Sequence, residues 1–376
     1  MSSVARFNVS TQVITGLGSL RELIPAISQL GGHRVAVVVD AGVGEAGLLD
    51  RVLAQAPQLR PVSMTLIAPD PDISVVEATT AAARENRADL VLAIGGGSAL
   101  GVGKAVGVRL TNDDRIDAYE GSGLVTNMPA PTIAIPTTAG SGSEVSNALV
   151  LHEPGRSKEL VVRGPGCEPR IAILDGTILR GLPMQPMLYA SLDALSHAME
   201  ALWANGATFF TDGLAVHAAR TIVRLLPQAV GGIESGKNAS GENDQVLQEL
   251  LEASCAANIA CGNSGLALVH ALSTSPDVKI PHGLQNAVLL PHVARFNASQ
   301  LSDEGAQMLP LIDELYTKLG FTPSFKSVGV GQVRAEDMIK ASSGHPFRVN
   351  NRRDSTDGEL AEILAISGAV LTGETS

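Results

Sequence analysis

Four side chains in the second half of the sequence have the types and spacing of a metal site. Asp193 and His197 are four residues apart in an apolar stretch that predicts a helix, so both side chains point to the same side, with Cβ atoms about 5–6 Å apart. A hydrogen-bonded pair without a metal has the same spacing. His270, in the predicted helix 265–272, and His282, at the start of a further predicted helix, add two imidazoles. One carboxylate and three imidazoles suit Fe(II) or Zn(II), and the ligand types do not decide between the two ions.

A glycine-rich turn in the first half predicts a phosphate site. The turn follows the apolar run 90–94, precedes the predicted helix 100–109, and consists of Gly95, Gly96, Gly97 and Ser98. Glycines let a pyrophosphate approach the backbone closely, where N–H groups at a helix N-terminus bind it. A tight turn without a ligand has the same composition. The turn does not match the GxGxxG pattern directly after a first strand. This predicts a doubly wound domain that differs from that of the ordinary Rossmann dehydrogenases.

Two further groups of polar residues follow predicted strands. Asp40 ends the run 35–39, where a carboxylate can bind ribose hydroxyls and repel a 2′-phosphate, which favours NAD over NADP. An aspartate that only caps a turn is the alternative. Segment 136–144 follows the run 132–135 and carries four hydroxyls and two glycines, so it can donate hydrogen bonds to a polar ligand. A flexible loop would have the same composition. Ligands of open α/β sheets bind at the carboxyl ends of strands.

The elements that must position these residues divide the chain into two halves. Apolar runs that predict buried strands lie at 35–39, 64–67, 90–94, 132–135 and 171–174. Helical segments alternate with them at 47–55, 75–85 and 100–109, which predicts a parallel sheet. Helical periodicity then continues alone at 187–202, 212–226, 245–260, 284–296, 304–319 and 358–371, with an irregular loop predicted at 342–356. We therefore expect an NAD-binding α/β domain with a doubly wound parallel sheet over residues 1–180, and an all-α metal-binding and substrate domain over residues 181–376.

Composition limits the classes of protein to consider. The chain has 376 residues, of which 45% are hydrophobic and 17% charged, which excludes a disordered chain and a coiled coil. The net charge of −11 and 3% aromatic content oppose nucleic-acid binding. The three cysteines lack CxxC or zinc spacing, and neither a signal-peptide core nor a run of about 18 apolar residues is found. We expect a cytoplasmic enzyme with no membrane partner.

Taken together, five segments resemble the iron-containing, or group III, alcohol dehydrogenases in order and spacing. They are Gly-Gly-Gly-Ser at 95–98, Pro-Thr-Thr-Ala-Gly-Ser-Gly-Ser-Glu at 136–144, Asp-Ala-Leu-Ser-His-Ala-Met-Glu at 193–200, Leu-Val-His-Ala-Leu at 268–272 and Pro-His-Gly-Leu-Gln-Asn-Ala-Val-Leu-Leu-Pro-His at 281–292. The resemblance implies a dehydroquinate synthase-like architecture, NAD(H) and Fe(II) or Zn(II) as cofactors, and a homodimer or larger homo-oligomer.

The resemblance also implies roles for single residues. The implied metal ligands are Asp193, His197, His270 and His282. The positions that match the dinucleotide site are Asp40, Gly96, Gly97, Ser98, Thr137, Thr138, Ser141 and Lys158. Thr274 stands where the family has a second histidine, four residues after the third ligand, and Gly101 stands where it has an aspartate. We expect Thr274 to hydrogen-bond a water that relays the alcohol proton, so Thr274 and His282 are the predicted catalytic residues.

The implied reaction is reversible hydride transfer between NAD(H) and a small alcohol/aldehyde or alcohol/ketone pair, with the metal as Lewis acid. Within the same architecture, a maleylacetate-reductase-like keto-acid reductase is the alternative. A dehydroquinate-synthase-like lyase or cyclase, which needs more Lys and Arg than the helical half offers, and a non-catalytic nucleotide-binding member are the remaining alternatives.

Overall fold

The computed structural model describes residues 4–45, 47–68, 71–153, 155–156, 159–275, 278–330 and 332–371. It divides into two compact units. The first, here called the sheet unit, comprises Val9–Leu182 and Lys237–Glu252. The second, here called the helical unit, comprises Met1–Asn8, Pro183–Gly236 and Ala253–Ser376. The assignment of NAD binding to residues 1–180 and of metal and substrate binding to residues 181–376 stays a prediction.

The sheet unit contains a six-stranded sheet and a three-stranded sheet. The strands are β1 (Gln12–Thr15), β2 (Val35–Asp40), β3 (Ser63–Ile67), β4 (Leu90–Gly95), β5 (Gly121–Ser122), β6 (Thr132–Pro136), β7 (Ala148–Leu151), β8 (Leu160–Arg163) and β9 (Ile171–Leu174). All five predicted strands are confirmed, as β2, β3, β4, β6 and β9. The sequence did not predict β1, which is only partly buried and therefore lacks a continuous apolar run. Nor did it predict β5, β7 and β8.

The order of the large sheet contains a reversal in the direction of winding. Its strands run β3-β2-β4-β6-β9-β1, and every pair is parallel. From β2 the chain moves outward to β3 and then returns to β4 on the other side of β2, so the direction of winding reverses between β2 and β4. In open α/β sheets, ligands bind outside the carboxyl ends of the strands at such a reversal. Asp40 and Gly95 end the two strands that flank it.

Helices make up most of the remaining described structure. The helices of residues 9–182 are α1 (Leu23–Gln29), α2 (Ala41–Glu45), α3 (Leu48–Ala54), α4 (Ile73–Glu85) and α5 (Gly97–Thr111). Those that follow are α6 (Met184–Trp203), α7 (Phe209–Glu234), α8 (Lys237–Ser240), α9 (Asp244–Ser264), α10 (Leu268–Leu272), α11 (His282–Phe296), α12 (Asp303–Ala306), α13 (Met308–Lys318), α14 (Ala335–Ser342), α15 (Pro346–Asn350) and α16 (Asp357–Ile366). The described part of the helical unit holds no strand. The expected all-α second half is thereby confirmed.

Several helical predictions need correction, among them 358–371, which ends at Ile366, and 265–272, which begins at Leu268. The predicted helix 304–319 is two helices, α12 and α13, which meet at Gln307. The segment 342–356 is not wholly irregular, because Pro346, with its fixed φ, starts the short helix α15. Helix α7 begins at Phe209 rather than at residue 212, since Thr208 forms a capping box with Thr211.

No helix among the described residues is long and apolar enough to cross a membrane. The three cysteines, Cys167, Cys255 and Cys261, are buried and form no disulfide.

Candidate active site

Helix α6 carries the first two predicted metal ligands on one buried face. Asp193 and His197 are 7% and 8% exposed, in the part of the helix, residues 191–203, that is buried throughout. One ligand atom from each of them and one from His270 lie within 4.8 Å of one another. The predicted pairing of Asp193 with His197, and of both with His270, is therefore present in the structure.

His270 lies between two carboxylates. Its Nδ1 donates a hydrogen bond to Glu200 Oε2 at 2.6 Å, and its Nε2 lies 3.5 Å from Asp193 Oδ1. Glu200 is fully buried and also accepts hydrogen bonds from the backbone N–H groups of Ala267, Val269 and His270. It thereby fixes both the short helix α10 and the tautomer of the imidazole, leaving Nε2 as the free ligand atom.

His282 begins α11 and joins the cluster through a neighbour one helical turn later. The side-chain Nδ2 of Asn286 lies 3.0 Å from His282 Nε2, 3.1 Å from His270 Nε2 and 2.7 Å from Asp193 Oδ1. The rings of His270 and His282 have centroids 5.2 Å apart, and those of His197 and His270 stack at 4.6 Å. Asp193, His197 and His270 thus form one group of ligand atoms, and the exposed His282 lies beside His270.

The electrostatics of this cluster favour a bound cation. Burial opposes ionisation of Asp193, but the imidazoles of His197, His270 and His282 outweigh it and hold the pKa of this carboxyl well below its usual range. Burial lowers the pKa of His197 to about 4 and also lowers that of His282. For His270 the carboxylates of Glu200 and Asp193 overcome burial and raise the pKa to about 9, so a metal that binds this ring must displace a proton from it. An ionised carboxylate and imidazoles with available lone pairs are the forms that bind metals.

The residues present fit a divalent metal. The 3.5 Å between His270 Nε2 and Asp193 Oδ1 matches the edge of about 3.4 Å of a tetrahedron of ligands with metal bonds of about 2.1 Å. Within the described part of the chain, the buried Nδ1 of His197 has no hydrogen-bond partner, which is an unfavourable state that a ligand would relieve.

The predicted dinucleotide residues also come together, in the sheet unit. Gly95 has φ +152°, and a Cβ there would lie 2.8 Å from the Cβ of Asp40, so only glycine fits between β2 and β4. A Cβ on Gly96 would lie 3.6 Å from Thr138, and one on Gly97 would lie 3.0 Å from Ser141. The glycine turn and segment 136–144 therefore lie side by side at the reversal of the sheet.

The start of helix α5 offers donors to an anion. Gly96 is its N-cap, and no side chain caps the helix. Ser98 lies in the first turn and is partly exposed. Orphan N–H groups at the start of a long helix bind phosphate groups. Asp40 also caps a turn, which is the alternative role that the sequence left open, because its Oδ1 accepts a hydrogen bond from the N–H of Gly42 at 2.9 Å.

Hydrogen bonds within the sheet unit hold segment 136–144 and the residues that follow it, up to Ala148. The N–H of Thr137 donates to Gly95 O at 3.0 Å, which ties the segment to the glycine turn. Lys104, buried on α5, donates from Nζ to the backbone oxygens of Ser146 and Ala148 at 3.2 and 2.6 Å. Burial lowers the pKa of Lys104 to about 8 and raises that of the nearby Glu144 carboxyl to about 7.

Lys158 and Thr274 are the two remaining predicted site residues. Lys158 lies outside the described residues. Thr274 is partly buried, and its hydroxyl donates to the backbone oxygen of Ala271 at 2.9 Å, so only its oxygen lone pairs remain for a water.

The sequence analysis missed Glu200 and Asn286. Glu200 is three residues after His197 and seven after Asp193, so helical spacing places it on the ligand face of α6. Asn286 is four residues after His282, which is the same spacing that joined Asp193 to His197. Applying the i, i+3 and i, i+4 rule to polar residues around every predicted ligand would have found both.

A glycine turn at the reversal of a parallel sheet, together with a buried carboxylate–imidazole cluster on helices, is typical of metal-dependent, dinucleotide-linked enzymes. Comparison with known proteins identifies the family. Residues 10–176 match the family model "Iron-containing alcohol dehydrogenase", and residues 187–367 match "Fe-containing alcohol dehydrogenase family, C-terminal".

Curated proteins and solved structures agree with these matches. The chain is 31% identical to the probable alcohol dehydrogenase EutG of Salmonella typhimurium, over 98% of this chain and 96% of that protein. It is 32% identical to the NAD-dependent methanol dehydrogenase of Bacillus methanolicus, over 96% and 99%. A crystal structure of 1,3-propanediol oxidoreductase superposes with a TM-score of 0.87 at 27% identity, covering 97% of this chain and 100% of that one. Sulfoacetaldehyde reductase from Bifidobacterium kashiwanohense in complex with NAD⁺ gives 0.85 at 27% identity, covering 97% and 99%.

The chain belongs to the iron-containing alcohol dehydrogenase family. It is a metal-dependent, NAD(H)-linked oxidoreductase that interconverts alcohols and carbonyl compounds. The resemblance inferred from the five sequence segments is confirmed, as is the dehydroquinate synthase-like architecture.

Proposed function

We propose that Asp193, His197, His270 and His282 together hold one divalent cation. The observation that carries this is the close approach of three buried side chains, Asp193, His197 and His270, with the exposed His282 next to His270. The ion supplies Lewis-acid chemistry at the oxygen of the substrate. Glu200 accepts the Nδ1 hydrogen of His270, so Nε2 is the atom left for the ion, and the carboxylates of Glu200 and Asp193 favour a positive charge there.

On the sheet unit, we propose that the N-terminus of α5 binds the pyrophosphate of NAD(H), with Gly95, Gly96, Gly97 and Ser98 as the turn. The close approach of the glycine turn to Thr138 and Ser141 supports a shared polar pocket. Thr137 and Lys158 complete the proposed set. Asp40, at the carboxyl end of β2, accepts the ribose hydroxyls and disfavours a 2′-phosphate.

The alcohol proton leaves through water in this proposal. Thr274 donates its own hydrogen to Ala271, so it serves as an acceptor that orients a water near His270 and His282. His282 acts as a ligand of the ion and, through it, as a catalytic residue. No charged acid or base is required at Thr274.

The substrate we propose is a small alcohol and the corresponding aldehyde or ketone. Several relatives are named for methanol, 1,3-propanediol, sulfoacetaldehyde or lactaldehyde, compounds of one to three carbons, and one is named for long-chain alcohols. We further propose a cytoplasmic homo-oligomer, a dimer at least. Three buried cysteines without a disulfide suit a reducing compartment.

The test measures metal content and turnover together. Purified protein is stripped with a chelator and reloaded with Fe(II) or Zn(II), and NADH oxidation is followed with short aldehydes, ketones, anionic aldehydes and keto acids. We expect one ion per chain and metal-dependent turnover of a small aldehyde or ketone. In His282→Ala we expect metal content well below one ion per chain and loss of turnover, because one of four ligands is gone.

The control is His217→Ala, which removes an exposed histidine of α7 and should keep both metal and turnover. Full metal content in His282→Ala would contradict the ligand assignment. Turnover confined to keto acids would favour the maleylacetate-reductase-like alternative. NADH binding without turnover on any carbonyl would favour a lyase or a non-catalytic member.

A further inference from the structure

A cavity of about 320 Å³ lies within the helical unit, beside the segment that leads into His282. One part of its lining is the segment 278–280, which ends two residues before His282. The rest of the lining comes from residues between 330 and 337 and includes Arg334 and Asp337. The mechanism described above uses none of these residues.

The segment 278–280 is fixed to the first turn of α11, the helix that begins with His282. In that turn, the side-chain Nε2 of Gln285 donates hydrogen bonds to the backbone oxygens of Val278 and Ile280, at 3.3 and 3.1 Å. Gln285 and His282 are three residues apart on the helix, so their Cβ atoms are about 5–6 Å apart. This part of the cavity lining is therefore held close to a proposed metal ligand.

Lys279 stands between the two carbonyl groups that Gln285 holds. Gln285 is 4% exposed, and the two hydrogens of its amide match these two acceptors. Because three residues of extended chain span at most about 11 Å, the Cα of Lys279 lies within that distance of the Cα of His282. Lys279 itself is exposed, so its ammonium group is open to a ligand.

Lys279 also gives the cavity a positive charge that its lining does not neutralise. Arg334 and Asp337 are the other charged residues of the described lining, and the Nε of Arg334 lies 3.8 Å from the Oδ2 of Asp337. These two charges compensate each other. Among the described residues, Lys279 has no carboxylate in ion-pair contact, so its ammonium attracts anionic groups.

We infer that Lys279 selects carbonyl substrates that carry an anionic group, a carboxylate or a sulfonate. The anionic group binds the ammonium in this cavity, and the carbonyl group lies at the proposed metal site. An ammonium has three hydrogens to donate, and charge-assisted hydrogen bonds to anionic oxygens are stronger than neutral ones. This inference rests on the proposed function and deepens it by naming the substrate class.

The experiment compares two aldehydes that differ in charge. They are 4-oxobutanoate and its methyl ester, and kcat/KM for each is measured by NADH oxidation with the metal-loaded full chain. We expect the wild type to prefer the anion, and we expect the ratio of the two kcat/KM values to fall about tenfold in Lys279→Ala, as for the loss of one charge-assisted hydrogen bond. Lys279→Arg should keep most of the preference, because it keeps the positive charge.

Lys318→Ala is the matched control. Lys318 is an exposed lysine of α13 in the same unit, and its Nζ pairs with Glu314 at 2.8 Å, so its removal changes the net charge by the same amount at another place. We expect the ratio of the wild type in this variant. Metal content is measured for every variant, which separates a lost ion from a lost contact with the anion.

Salt provides a second readout that a merely structural role of Lys279 would not affect. Added NaCl screens the attraction between exposed charges. We expect it to lower kcat/KM for 4-oxobutanoate in the wild type more than in Lys279→Ala, and to leave the methyl ester less affected in both.

The outcomes distinguish this inference from the proposed function. Equal kcat/KM for the two aldehydes in the wild type, or the same ratio in the wild type and Lys279→Ala, would overturn the role of Lys279, while metal-dependent turnover would still support the proposed function. If no carbonyl compound is turned over with any metal, the proposed function is wrong, and this inference with it.

Discussion

Glu200 holds two parts of the proposed metal site in place. It accepts one hydrogen bond from His270 Nδ1 and three from backbone N–H groups of residues 267–270, and water does not reach it. A carboxylate behind a ligating imidazole fixes its ring and strengthens it as a ligand. A single side chain thus connects the structure of α10 to the chemistry of His270.

Glu200→Gln is therefore expected to weaken metal binding about 10- to 100-fold while the protein still folds. The amide group replaces one acceptor oxygen by a donor, which then faces a donor of the helix or of His270. The measurement is the apparent Kd for Zn(II), and Glu252→Gln is the control, since Glu252 bonds Thr15 and Gln248 in the sheet unit. Equal affinity in wild type and Glu200→Gln would show that the carboxylate does not support the ligand.

At the scale of elements, helix α5 packs closely against strand β4, and two of its glycines differ in the space available for a side chain. A Cβ on Gly103 would lie 2.5 Å from the Cβ of Ala93 on β4, whereas a Cβ on Gly101 would meet the backbone oxygen of Val150 at an ordinary 3.6 Å. Gly103 allows the helix to approach the sheet. Gly101, which stands where the family has an aspartate, has room for a small side chain.

Gly103→Ala should lower the free energy of unfolding by about 1–3 kcal/mol, because the helix must move away from the sheet. Gly101→Ala should raise it by about 1 kcal/mol through helix propensity. Urea midpoints of the two variants, each compared with the wild type, test the pair. A shift of the same sign in both would contradict the packing described for α5.

The main elements could be predicted because their patterns are local. The strands β2, β4, β6 and β9 are buried runs of Val, Ile, Leu and Ala, and such runs need no knowledge of the partner. The edge strand β1 and the small sheet β5-β8-β7 escaped prediction because their strands are short and partly exposed, so their pairing depends on neighbours distant in sequence.

At the scale of the whole molecule, a buried acid gives stability a defined dependence on pH. Glu144 is 2% exposed, and burial raises the pKa of its carboxyl to about 7, against 4.5 for an ordinary glutamate, while Lys104 opposes the shift. The folded protein binds a proton that the unfolded chain releases between these values. Its contribution to stability is therefore fully present below about pH 4.5 and is lost as the pH rises through about 7.

Glu144→Gln should remove this dependence. The free energy of unfolding of the wild type should decrease between pH 5 and pH 6.5 more steeply than that of the variant, by up to about 1.4 kcal/mol per pH unit. Urea unfolding at several pH values in this range measures both slopes, and groups common to both proteins cancel in the difference. Parallel slopes would show that Glu144 ionises as freely in the folded protein as in the unfolded chain.

The sequence by itself determined the two kinds of architecture and the types of side chain available for chemistry. Hydrophobic periodicity is local, and Asp193 and His197 share a helix face whatever the helix packs against. Only the tertiary structure decided that His270 and His282 join them, because 70 or more residues separate His270 and His282 from that pair in sequence. It alone showed Glu200 behind His270 and Asn286 between the ligands. Buried polar contacts of this kind depend on where helices cross, which is decided by the packing of their apolar faces.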